Sequence, residues 1–176
     1  MRPRQILAAL MSSVLLAGAS PPPAQPNPEW DQIANIKAAA TRLAVLQRRR
    51  GASRAYEFID ACYRTHMLSE EYTKALEACI AQDYMETQVL ALIYSRVPPD
   101  ALRRQGAPSP QMLAGAMGQR ITAAFANYKM PVSYVEVFKK LVDEHGFPLF
   151  YKTLFPGSKA PPRNNLSPPE ADQKQE

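Results

Sequence analysis

The chain has 176 residues, with 21 Lys and Arg against 16 Asp and Glu, a formal charge of +5, two histidines and two cysteines. This mild positive excess does not call for a nucleic-acid partner. Neither histidine lies in a nucleophile, zincin or phosphate-loop motif, so no catalytic residue, metal ligand set or cofactor is assigned from motifs.

The first residues carry the three parts of a secretory signal peptide: Arg2 and Arg4, an uncharged run from Ile6 to Gly18, and Ala17-Gly18-Ala19 before Ser20. Residues 1–19 are therefore expected to be a leader cleaved after Ala19. The apolar run is well short of the roughly 20 residues of a spanning helix, so no transmembrane span is expected after cleavage. Ser20 stands where a lipoprotein signal would place its cysteine. The expected location is the periplasm, and without Arg2 and Arg4 the charge falls to +3. Residues 20–28 hold five prolines and read as an extended tether. Residues 156–176 hold five more and almost nothing apolar, the composition of a disordered tail. One domain, residues 29–155, remains.

Within it the apolar period is near 3.6 and nothing alternates as a strand would. A first helix is expected from Glu29 to Arg50, with Trp30, Ile33, Ile36, Ala40, Leu43 and Leu46 as one stripe, arginines in the last turn and Gly51 as the stop. A second, capped by Ser53, runs to about Met67 and is expected to bury Tyr56, Ile59, Cys62 or Tyr63, and His66 or Met67. A third, capped by Ser69, runs to about Arg96 before Pro98-Pro99. Residues 97–107 read as a loop. Ser109-Pro110 is an N-cap followed by proline at the first helical position, opening a fourth helix that buries Leu113, Met117, Ile121, Ala124, Phe125 and Tyr128. Ser133 and Glu136 match a capping box for a fifth helix with Val135, Phe138, Leu141 and Val142 inward and Gly146 as C-cap. A short sixth is expected from Leu149 to Phe155. The fold class is all-α: an irregular or orthogonal bundle of five to six helices with one disulfide, an up-and-down four-helix bundle being the alternative.

In an exported chain two cysteines normally pair, and Cys62 and Cys79 lie on adjacent helices at a tight corner. A structural bridge is expected. The sharper alternative is a metal-handling or sensing protein: Cys62 and His66 are four apart, as are Cys79 and Asp83, so four ligands would converge on one ion. The scattered methionines are better read as core filler than as copper ligands. Asp83 and Glu86 are three apart, the only carboxylate pair singled out for a cell-wall-acting enzyme, and a solvated helix face accounts for them more simply.

From Lys37 to Arg54 there are six basic residues and no acidic one. Arg48, Arg49, Arg50 and Arg54 are the candidate partner-binding residues, suited to an envelope protein or an anionic surface. The stretch from Cys62 through Cys79-Ile80-Ala81-Gln82-Asp83-Tyr84 to Tyr94 partly resembles the small exported, cysteine-paired helical domains of the LprI-like lysozyme-inhibitor type. The cysteine spacing departs from that pattern, and no functional residue is carried over. The expectation is an exported periplasmic interaction or adaptor protein without catalytic activity, acting in envelope assembly, stress or inhibition of another exported protein.

Overall fold

The computed structural model describes residues 28–158. The expected leader, residues 20–27 of the tether and residues 159–176 of the tail lie outside the described residues. The described chain is all-α: α1 (Gln32–Arg50), α2 (Ala52–His66), α3 (Lys74–Tyr94), α4 (Pro99–Arg104), α5 (Pro110–Asn127), α6 (Val132–Leu141), a π-helical turn (Val142–Gly146) and α7 (Phe147–Leu154). Because α6, the π turn and α7 follow without a break, they form one continuous helical segment.

The third helix is the axis of the bundle. Every residue from Leu76 to Thr87 is buried, with α1, α2 and α5 packed around it and α7 closing against α1. An amphipathic stripe serves a helix with one wet side; a helix apolar nearly all round can only be an interior one. Its few polar side chains, among them Glu77, Gln82, Asp83, Glu86 and Thr87, are therefore carried inside.

The Ser109 signal holds: its Oγ accepts from Met112 N–H at 3.1 Å, satisfying an amide left open at a helix start. The first helix starts at Gln32 and not at Glu29, because Asp31 is its cap, Oδ1 accepting from Ala34 N–H at 2.9 Å. Elsewhere the packing moves the boundary. The second helix starts directly from Gly51, whose φ of 81° lets α1 end and α2 begin at one residue, so Ser53 lies inside α2. The third starts four residues later than Ser69 would allow: Thr73 Oγ1 accepts from Leu76 N–H at 3.1 Å. This leaves Tyr72 outside the helix, free to insert among Trp30, Phe125, Tyr128 and Tyr134. The carbonyls of His66, Met67 and Ser69 in the connection take the Tyr128 hydroxyl.

The stretch expected as a loop contains α4, which buries Leu102. The sixth helix starts at Val132 with Pro131 as its extended cap, so Ser133 is already helical and forms no capping box; Glu136 pairs with Lys139 instead. Tyr56, expected inside, is 38% exposed, whereas Tyr134 is buried. Gly146 is not a C-cap either. Its φ of −90° is helical, and a Cβ there would stand 2.7 Å from Ile36 Cγ2 and 3.1 Å from Met85 Sδ. Glycine is required there because α1 and α3 approach that closely. The wider π turn that Gly146 closes also accommodates Pro148, which has no amide hydrogen to donate: Phe147 N–H reaches back to Val142 O.

Candidate functional site

Three groups of side chains stand out, and α3 contributes to two of them. Cys62 and Cys79 form a disulfide with Cα atoms 5.7 Å apart. The geometry follows from the late start of α3: Cys62 lies four residues before the end of α2 and Cys79 five after the start of α3, nearly symmetric about the corner. His66, one turn beyond Cys62, completes a trio whose ligand atoms all lie within 4.8 Å of one another. Asp83 is not among them. It faces α5, where Arg120 grips it with Nε to Oδ2 at 3.0 Å and Nη2 to Oδ1 at 2.7 Å.

The second group is the row of acids on α3, and it corrects the expectation of a solvated carboxylate face. Asp83 is 3% and Glu86 1% exposed. Besides Arg120, Asp83 accepts from the Tyr63 hydroxyl at 3.2 Å and from Thr87 Oγ1 at 3.3 Å. Burial and then the Asp83 charge drive the Tyr63 phenol far above its ordinary value, and the Asp83 hydrogen bond holds Arg120 in its charged form. Glu86 receives one donor, Gln47 Nε2 at 2.9 Å, and its Oε2 has none. Desolvation, with the Asp83 charge second, pushes its carboxyl up to about 7. The two acids thus differ in their partners, Asp83 gripped by Arg120 and Glu86 met by a single donor, but both are walled in by helices. A polymer substrate cannot reach either without parting α1, α2 and α5 from α3.

Glu77 is fully buried, and the sequence reading missed it. Its carboxylate accepts from Trp30 Nε1 (2.9 Å), Gln32 Nε2 (2.6 Å), Asn35 Nδ2 (2.9 Å) and the Tyr72 hydroxyl (3.4 Å). Among the described residues no cation pairs with it. These donors satisfy its buried oxygens, and it lies in the first turn of α3. This cage ties the segment before α1 to the bundle, which is a structural use. Arg120 and Gln47 were missed as well. The available signal was the nearly all-apolar α3, since acids on an interior helix must find partners.

The third group is the basic corner. Arg48, Arg49 and Arg50 end α1, Gly51 turns the chain, and Arg54 lies in the first turn of α2; all four are exposed. Arg48 Nη1 donates to Thr153 O at 3.3 Å and Arg54 pairs with Glu57. Arg49 and Arg50 have no ion-pair partner among the described residues. Four exposed arginines are thus gathered at the α1–α2 corner.

A disulfide fits a compartment outside the reducing cytosol. Among the described residues no helix is long and apolar enough to cross a membrane. No family model matches the chain, and no curated protein or solved structure matches it either, so the partial resemblance over residues 62–94 gains no support there.

Proposed function

We propose that this chain is a non-catalytic interaction protein of the periplasm: a disulfide-clamped helical frame that presents its basic corner to an acidic surface of another envelope protein. The observation that carries this reading is the clustering of Arg48, Arg49, Arg50 and Arg54 about Gly51, with Arg49 and Arg50 unpaired among the described residues. The helix dipole accounts for cations at the end of α1, but Arg54 sits at the start of α2, where the dipole opposes a cation. A surface that gathers like charges against this local preference suits an anionic partner, drawn in by long-range attraction that salt weakens.

The test uses the double variant R49E/R50E, because Arg48 and Arg54 also hold internal contacts. Wild type and variant are crosslinked in intact cells and the adducts recovered from the envelope. The expected result is an acidic partner protein captured by wild type, lost in the variant and reduced at high ionic strength. Capture unchanged by the charge reversal rejects the corner as the contact. Binding of the wild type, and not of the variant, to vesicles rich in anionic lipid, with no protein captured, would replace the protein partner with a membrane.

A further inference from the structure

We propose that Cys62, Cys79 and His66 form a redox-gated metal site: closed by the disulfide when oxidised, and able to hold one thiolate-seeking d10 cation, with zinc(II) as the probe, when reduced. It stands on a different observation from the docking corner and needs nothing from it.

The three ligand atoms already lie within 4.8 Å of one another. A tetrahedral zinc with thiolate and imidazole bonds of about 2.3 and 2.0 Å requires separations of about 3.5–3.8 Å between ligand atoms. Reaching these distances takes at most about 1.3 Å of closure by His66 and a parting of the two sulfurs, movements available to side chains. Backbone positions already suit the site. Cys62 and His66 share a face of α2 at i and i+4, and the Cα atoms of the two cysteines are 5.7 Å apart. The ligands differ in access: Cys79 is buried, whereas Cys62 and His66 are half-buried, so an ion would enter from the α2 side. Two of the ligands lie in the C-terminal half of α2, whose carbonyl dipoles favour a cation.

Asp83 is excluded as a fourth ligand by its bidentate bond to Arg120, which leaves the fourth position to water or an external ligand. The chemistry balances with a dithiol as reductant. Two electrons from the dithiol break the Cys62–Cys79 bond, the dithiol is itself oxidised to a disulfide, and the two cysteines emerge as thiols. Each thiol then releases its proton to solvent as its sulfur bonds the ion, while His66 binds as the neutral imidazole.

The test titrates zinc against a chromophoric chelator, using the full chain reduced under anaerobic conditions and, in parallel, the oxidised chain. Expected are one equivalent bound by the reduced protein, none by the oxidised one, and thiolate-to-cobalt charge-transfer absorption when cobalt(II) replaces zinc. The variant H66A keeps both thiols and should lose affinity at least about tenfold. Failure of the reduced protein to bind one equivalent, or H66A binding as tightly as wild type, overturns the site. If reduction lowers the helical circular dichroism, added zinc must restore it in wild type and not in H66A; no recovery also overturns the site.

Discussion

Gln47 on α1 donates its side-chain amide to Glu86 Oε1 on α3 at 2.9 Å, and the two oxygens left over on this pair, Gln47 Oε1 and Glu86 Oε2, are both buried with no hydrogen-bond partner. A buried carboxyl oxygen with no donor is better accommodated protonated than charged. The raised carboxyl, pushed to about 7 by burial and by Asp83, agrees with that state.

The sign of the pH dependence follows. Between its ordinary 4.5 and the folded value of about 7, the folded chain keeps a proton that the unfolded chain has released, so stability falls as pH rises through this window and levels off above it. The full loss is on the order of 3 kcal/mol. The charged or titratable groups in electrostatic contact are Asp83 and Tyr56, the latter itself pushed up to about 12 by burial and then by Glu86. E86Q supplies an N–H where the acid supplied an O–H and stays neutral. Urea melts at about pH 5 and about pH 8 should show a smaller loss in E86Q than in wild type. Equal losses in the two proteins would show that Glu86 is not the titrating group.

The Asp83–Arg120 grip predicts a different response. Removing one partner of a fully buried pair costs about 3–5 kcal/mol, but Arg120 is 47% exposed, so solvent screening lowers the expected loss for R120M to about 2 kcal/mol. The double variant D83N/R120M should recover part of it, because no buried charge is then left unpaired. Thermal melts of the two variants decide this; a double variant no more stable than R120M speaks against a stranded carboxylate as the cause.

Gly146 separates close approach from backbone freedom as the reason for a glycine. Its helical φ would accept alanine, which intrinsically favours a helix by about 1 kcal/mol, but the added Cβ meets Ile36 Cγ2 at 2.7 Å. Overpacking of this kind costs about 1–3 kcal/mol, so G146A should be less stable than wild type in denaturant melts. A variant of equal or greater stability would mean that Ile36 gives way freely.

Features legible before folding are those carried by neighbouring residues. Ser109-Pro110 announces α5 because its hydroxyl reaches an amide three positions on, and Gly51 marks the end of α1 because few other residues adopt its dihedrals. The Ser69 and Ser133 signals are of the same kind and fail: in each case an aromatic side chain nearby, Tyr72 or Tyr134, is placed by contacts with distant rings, and the helix starts where that placement allows.

By itself the amino-acid order determined the helical class, the single way to pair two cysteines and the basic run at the end of α1, since composition and spacing within a turn or two are enough for each. Only the tertiary structure decided that Glu77, Asp83 and Glu86 are interior, that Asp83 turns away from the cysteines to Arg120, and that Gly146 is a point of contact. The physical reason is distance along the chain: Trp30 is 47 residues from Glu77, Gln47 39 from Glu86 and Arg120 37 from Asp83. A helical period shows which face of one helix is apolar, but a carboxylate's protonation and a glycine's necessity depend on atoms that another helix brings to it.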